Sequence, residues 1–397
     1  VHGTESVIRN RYQEQLNMAK EPLQVAVIGL GGFGRQALEA TACCESVQLA
    51  AVADRDQSAA QNAASPSGAR AYSDYRSCLA ETRPDAVCLD VSPKAAAELI
   101  PACAQRGIHV WKSVPLARNL DDAVSMVRAM SDASLAFSVG TPRRFDECYR
   151  MAWKARKRIG QAFLARAHYL FNWGPDLGWR GDKESAGGGA LIDLGYHPMD
   201  LLIWMLGLPE EVYGLSGIVS TPPDDNQLQA VYDTDDTAAA ILRFANGCMA
   251  SVVTTRRSGP VSEAICLHGL GGSIEATADS CLIRDPDGNV IDRTESTSLP
   301  LDTSIRQLEA FVQAASSTEE PKRHPCSGWE NLLTMAVMEA IYLSDRTGQP
   351  ERPANLLGTR NLKVEDCMQA TPPEQEPEQE LEPDDDNQDE SNGVDEE

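Results

Sequence analysis

Apolar and polar positions fall into a repeated strand-then-helix rhythm over the first 140 or so residues. The clearest unit is LQVAVIGLGGFG, residues 23–34. Residues 24–30 are mostly apolar and rich in valine and isoleucine, the pattern of a strand buried on both faces of a parallel sheet. A helix-compatible run follows over 33–42, and 47–53 reads as a second strand. Beyond it the pattern predicts helices over 56–65, 72–80 (capped by Ser73), 95–105 and 120–131, and strands over 86–91, 108–112 and 135–139. Asp121 and Asp122 suit the first turn of the last helix. Repeated units of this length argue for a doubly wound parallel α/β sheet.

The rhythm then changes. Residues 145–159 form a basic amphipathic run, and 163–172 alternate as a strand. A loop rich in glycine, tryptophan and charge (173–189) leads into an apolar stretch, 190–206, read as one long helix. Strands follow in series at 211–219, 237–244, 249–255 and 263–268, with turns at Ala245-Asn246-Gly247 and Asp287-Gly288. Helices at 305–315 and 331–344 are expected to return toward the first domain. The expected organisation is an N-terminal extension (1–22), a parallel α/β domain (23–143), an α+β domain on a mostly antiparallel open sheet (144–357), a closing arm (358–370) and a disordered acidic tail (371–397).

Composition alters this picture in three places. The net charge of −24 is concentrated: residues 371–397 hold thirteen Asp or Glu and no Lys or Arg. The tail has almost no apolar residues and cannot build a core. The eleven cysteines show no C-x-x-C spacing, and most sit in apolar runs. They read as small core residues of a cytoplasmic protein, neither a disulfide frame nor a metal site. There is no basic stripe interleaved with aromatics for nucleic acid, and no apolar run long enough to span a membrane. The first 22 residues lack the apolar core of a signal peptide. Met18 is either the natural start or part of a helical N-terminal arm.

Gly29, Gly31 and Gly34 have the spacing G-x-G-x-x-G between a strand and a helix. The first glycine permits a tight turn, the second lets backbone approach a pyrophosphate, and the third lets helix pack on strand. Gly32 and Phe33 complete the turn, where free N–H groups and the helix dipole favour an anion. Asp54, at the end of the second strand, stands where a carboxylate meets ribose hydroxyls, and it disfavours a 2′-phosphate. Arg55 beside it could accommodate one, so NAD is expected and NADP stays open. Ser92, Pro93, Ser113 and Pro115 lie at the carboxyl ends of later strands, where ligands bind in such sheets.

A second constellation is GGGALIDLGYHPMD, residues 187–200. On one helix Asp193 and His197 would share a face. A carboxylate beside an imidazole would orient it and raise its pKa toward neutrality, giving a proton acceptor for alcohol oxidation. The preceding glycines would let backbone approach a ligand. Trp173, Trp179 and Arg180 could stack on a sugar ring or merely pin their loop. His109, His168, His268 and His324 read as structural.

Together, VAVIGLGGFG, VADRD, PDAVCLDVSP, GIHVWKSVPLA, PRRFD and the GGG…D-x-G-x-H-x-x-D run resemble the glucose–fructose oxidoreductase / inositol dehydrogenase (Gfo/Idh/MocA) family, over residues 23–353. The resemblance implies a Rossmann domain binding NAD or NADP and a sheet domain that covers the nicotinamide. It implies hydride transfer between the cofactor and a hydroxyl or keto group of a sugar- or cyclitol-like small molecule. It also implies a homo-oligomer, dimer or tetramer, built through the C-terminal sheet. Asp193 and His197 match the family's catalytic Asp and His. One position departs: where the family carries Glu-Lys-Pro, this chain has Ser113-Val114-Pro115. Valine cannot hydrogen-bond a reacting hydroxyl. Lys112 could reach the site from one step back along the strand, or be a solvated strand-end lysine. Arg143 or Arg144 could supply a cation but no proton shuttle. The departure leaves a second reading open, a cofactor-binding family member with little activity that serves as a sensor or partner subunit.

Overall fold

The computed structural model describes residues 21–218, 232–317 and 324–368. The acidic tail and nearly all of the N-terminal extension lie outside them. Six strands form the first sheet: β1 (Leu23–Ile28), β2 (Val47–Ala53), β3 (Arg70–Tyr72), β4 (Ala86–Leu89), β5 (His109–Ser113) and β6 (Phe137–Gly140). Their order is β3-β2-β1-β4-β5-β6, and every pairing is parallel. This is the dinucleotide-binding order, with the crevice where the chain reverses direction between β1 and β4. Helices α1 (Gly32–Cys43), α2 (Gln57–Ala64), α3 (Tyr75–Thr82), α4 (Pro93–Ala104) and α5 (Leu120–Asp132) connect the strands. The strand interiors are fully buried because helices cover both faces.

The short strand β3 is missed in the sequence reading. Tyr72 closes it, and α3 starts three residues later behind Asp74, whose side chain accepts from Arg76 N. Ser73 is therefore not the cap. Three residues carry too little periodicity to distinguish a strand from a helix start.

The chain leaves the first sheet through a 3₁₀ turn, Pro142–Phe145, into α6 (Glu147–Ala155). The second sheet has eight strands in the order β14-β13-β12-β11-β7-β10-β9-β8. These are β7 (Ala162–Asn172), β8 (Glu211–Gly217), β9 (Thr237–Arg243), β10 (Met249–Thr255), β11 (Arg257–Gly269), β12 (Gly272–Ala276), β13 (Ser280–Arg284) and β14 (Val290–Glu295). Only β7 and β10 pair parallel. Four further helical segments pack on this sheet or return to the first: α7 (Lys183–Ala186), α8 (Ala190–Asp193), α9 (Tyr196–Leu206) and α10 (Pro300–Ser316). The chain closes with α11 (Gly328–Thr347), α12 (Pro353–Gly358) and α13 (Val364–Cys367).

The apolar run expected as one helix is split between α8 and α9. Gly195 sits at the break, where its N–H reaches back to Ala190 O. The helices α10 and α11 both pack against the first domain. Leu308 and Phe311 of α10 join Ala37 and Ala40 of α1 and Trp111 of β5 in one core on a face of the first sheet. The other face shares a core with α11 and the second sheet, so the two sheets are packed through common apolar contacts.

Candidate active site

The glycine turn is shaped as its spacing demands. Gly29 has φ of +87°, and a Cβ on it would lie 2.0 Å from Asp90 O. A Cβ on Gly34 would lie 1.9 Å from Gly29 O, so α1 packs on the strand with no side chain between. Gly32 has nothing within 4 Å of such a Cβ and opens onto free space. That space is a cleft of about 320 Å³ lined by Gly29, Gly31, Gly32, Asp54, Asp90 and Arg180 among others. Its walls fit a dinucleotide: a bare backbone at a helix N-terminus, and a carboxylate at the end of β2. Asp54 is itself held in place, accepting from Leu30 N and Asp56 N at 2.8 Å each.

Arg55 and Ser92 also line the cleft. Ser92 additionally caps α4 through Ala95 N at 3.3 Å. Phe33, Gly34, Pro93 and Ser113 do not line it. Phe33 stacks edge-on against Trp111 at 4.8 Å, Pro93 is the buried first residue of α4, and Ser113 is buried at the end of β5. The sequence reading overlooked Asp90, Ser73 and Tyr75, which line the cleft. Asp90 is the consequential one. Its Oδ2 accepts from Gly34 N at 3.0 Å and would lie 2.4 Å from a Cβ on Gly31. A carboxylate thus sits within the glycine turn, and the signal for it was a charged residue directly after an apolar strand.

The second constellation is assembled differently from the expectation. The three glycines make close approaches to protein. A Cβ on Gly187 would meet Arg118 O at 2.2 Å, one on Gly188 would meet Tyr342 Oη at 2.2 Å, and one on Gly189 would meet Asp235 O at 1.8 Å. They admit close protein backbone and a tyrosine. Asp235, just before β9, then caps α8, its carboxylate accepting from Gly189 N at 2.7 Å and Leu191 N at 2.9 Å.

Asp193 does not orient His197. Arg180 Nε donates to Asp193 Oδ2 at 3.0 Å, and the Arg180 guanidinium lies between the rings of Trp173 and Trp179, at 4.5 and 4.2 Å. Both tryptophans contact the arginine. Burial raises the Asp193 carboxyl above its ordinary value, opposed by Arg180. His197 Nδ1 is buried with no hydrogen-bond partner among the described residues. The ring sits edge-on to Tyr169, 5.6 Å between centroids. Its pKa is lowered to about 4, by burial first and then by the Arg143 charge, with Glu263 opposing. The expectation of a raised pKa fails because burial dominates and the Asp193 carboxylate is paired with Arg180.

Arg143 and Arg144 part company. Arg143 Nε donates to both Glu263 oxygens at 2.8 Å, and its guanidinium stands 6.0 Å from the Tyr169 ring. Arg144 is buried and turned away, donating to Asp200 at 2.7 and 2.8 Å and to Glu330 at 2.9 Å. It ties α9 to α11, so a role in holding substrate is not what this geometry offers. Lys112 is neither solvated nor extended into the cleft. It is fully buried, and its Nζ donates to Pro115 O at 2.6 Å and Ser113 O at 2.8 Å. Burial lowers its pKa to about 7, with Asp90 opposing. As a neutral amine it has two N–H bonds for those two carbonyls.

None of the eleven cysteines forms a disulfide. Among the described residues no group of three or more His, Cys, Asp or Glu could hold a metal ion. No helix among them is long and apolar enough to cross a membrane.

Comparison with known proteins agrees with both halves of this arrangement. Residues 23–141 match the model described as "Oxidoreductase family, NAD-binding Rossmann fold", and residues 152–275 match the GFO/IDH/MocA C-terminal domain. The chain belongs to the GFO/IDH/MocA oxidoreductase family. Among relatives of this family, the D-xylose 1-dehydrogenase (NADP(+)) 2 of Haloferax volcanii is 25% identical over 339 residues, covering 82% of this chain and 98% of the relative. The myo-inositol 2-dehydrogenase of Thermotoga maritima is 26% identical over 308 residues, covering 75% and 90%. A solved levoglucosan dehydrogenase in complex with NADH and levoglucosan superposes with a TM-score of 0.76 at 23% identity, covering 84% of this chain and 99% of that one. That likeness carries the GFO/IDH/MocA fold.

Proposed function

We propose that this chain transfers hydride between a nicotinamide dinucleotide and a hydroxyl or keto group of a sugar- or cyclitol-like small molecule, with NAD as the preferred cofactor and NADP as the alternative. One observation carries the reading: Arg180 lines the dinucleotide cleft and at the same time binds Asp193, so the cofactor site and the Asp193–His197 stretch meet at a single side chain. The dehydrogenase names of the relatives support the substrate class.

When bound, the cofactor supplies the hydride acceptor. The chain's residues have separate tasks. Gly31 and Gly32 with the α1 N-terminus receive the pyrophosphate, and Asp54 receives the ribose. His197, held neutral above about pH 4, accepts the proton of the substrate hydroxyl. Arg180 and Asp193 fix the wall between cleft and imidazole. Arg143, clamped by Glu263, adds positive charge beside the imidazole. Lys112 is assigned a positioning role, bracing residues 113–115 from beneath.

Two copies are expected to pair through the second sheet. Tyr213, Leu215, Ile241, Met249 and Val253 stand 42–59% exposed on the adjacent strands β8, β9 and β10. Contiguous exposed apolar side chains of this kind mark association surfaces.

A second reading, a cofactor-binding protein with little activity, draws on Val114 and on the inward turn of Lys112. Initial rates of NAD and NADP reduction across pentoses, anhydrosugars, glycosides and cyclitols separate the two. Turnover with one such group supports the proposal. Binding of NAD with no turnover on any of them supports the second reading.

A further inference from the structure

A groove of about 600 Å³, sharing no lining residue with the dinucleotide cleft, is walled by α6, the end of α9, α10 and the start of α11. Its floor is aromatic: Trp153 and Trp204 stack at 5.2 Å with 8° between ring planes. Its rim is basic. Arg150, Lys154 and Arg156 come from the α6 side and Arg306 from α10, against Glu309. Arg144 and Glu330 also line it, but Arg144 is already shared between Glu330 and Asp200. Arg150, Lys154 and Arg306 have no carboxylate partner among the described residues, and Arg306 Nε is buried without an acceptor. Buried donors are rarely left unpaired, so this one marks a place where an acceptor belongs. In a chain of net charge −24 such a groove is the exception.

The described chain ends at this groove. Cys367 is buried, and Met368, 47% exposed, is one of the groove's lining residues. Twenty-nine residues follow, 369–397, with thirteen carboxylates and no Lys or Arg. Glu374 is six residues beyond Met368, and a span of that length reaches at most about 20 Å. We propose that segment 369–397 docks in the groove of its own chain, its carboxylates meeting Arg150, Lys154 and Arg306. A single exposed ion pair is weak. Here the tether holds the partner at an effective concentration of about millimolar, and several pairs form together.

The test uses the full chain. A carbodiimide joins amines to carboxylates in contact, so Lys154 should be coupled to residues of the 374–397 stretch, read by mass spectrometry. Mixing isotope-labelled and unlabelled chains separates coupling within a chain from coupling between copies. The expected result is same-chain coupling at Lys154, at least about fivefold above that of exposed lysines that do not line the groove and are far from Met368 in the chain, such as Lys183. It should fall toward that background in about 1 M salt, where screening reaches about 3 Å, and in Arg150→Glu, a substitution at an exposed side chain. Coupling spread evenly over all surface lysines would overturn the proposal. So would mixed-isotope coupling, which would place the segment on a second copy, and so would coupling indifferent to Arg150→Glu.

Discussion

Arg180 Nε donates to Asp193 Oδ2 at 3.0 Å, and His197 takes no part in that pair. The carboxylate that the i, i+4 spacing offers to the imidazole is engaged by an arginine that also lines the candidate dinucleotide cleft. Both partners are partly exposed, at 25% and 14% of their side chains, so the pair is worth modest stability. Its value lies in position. Asp193→Asn should leave Arg180 free to swing between its tryptophans and lower kcat/KM by about 10²-fold, while the Kd for NAD changes by less than about fivefold. Steady-state rates and cofactor titration on one preparation give both numbers.

The His197 imidazole has a pKa lowered to about 4. In the unfolded chain it titrates near its ordinary value, 6.5. Between those values the unfolded state binds the extra proton, so stability from this group is complete above about pH 6.5 and is lost as pH falls toward 4. Activity should follow the folded value: the acid limb of the kcat/KM profile should lie below pH 6. His197→Gln should flatten the corresponding part of the stability profile, measured by denaturant unfolding at pH 4.5, 5.5 and 6.5.

Lys112 carries a pKa lowered from 10.5 to about 7. Here too the unfolded chain holds more protons, so stability contributed by this group should rise as pH goes from about 7 to 10.5. Lys112→Met would remove that rise and leave the carbonyls of Ser113 and Pro115 unpaired, costing about 1–3 kcal/mol at neutral pH. Denaturant midpoints at pH 7 and pH 9 for both proteins check the magnitude and the sign.

Asp90 places a carboxylate inside the glycine turn proposed to receive a pyrophosphate. Charges of like sign about 4 Å apart in a wet site repel by about 1 kcal/mol. Asp90→Asn retains an acceptor for Gly34 N and removes the charge, so the Kd for NAD should fall roughly fivefold, with a weaker dependence on salt. Titration by protein fluorescence at low and high salt would reveal it.

Much of the fold was legible in the sequence. Residues 23–34 carried strand, turn and helix in one run, and the beta-alpha spacing after it led to the parallel order observed. What stayed hidden was short or long-range. β3 is three residues and has no period to read. Gly187, Gly188 and Gly189 announce close approach but not of what, since Arg118, Tyr342 and Asp235 come from distant segments. Asp193 and His197 are four residues apart, but the partner of Asp193 is Arg180, thirteen residues before it and held against two tryptophans. Lys112 looked like a strand-end lysine because its acceptors are backbone carbonyls, which no side-chain pattern encodes.

The most direct test of the account is the rate of NAD or NADP reduction by the best substrate from a sugar and cyclitol panel, compared between the native chain and His197→Ala, with NAD affinity measured on both. The account predicts turnover in the native chain, a loss of at least about 10³-fold in kcat for His197→Ala, and NAD affinity unchanged within about twofold. Turnover that survives His197→Ala, or a native chain that binds NAD tightly yet turns over no member of the panel, would contradict it.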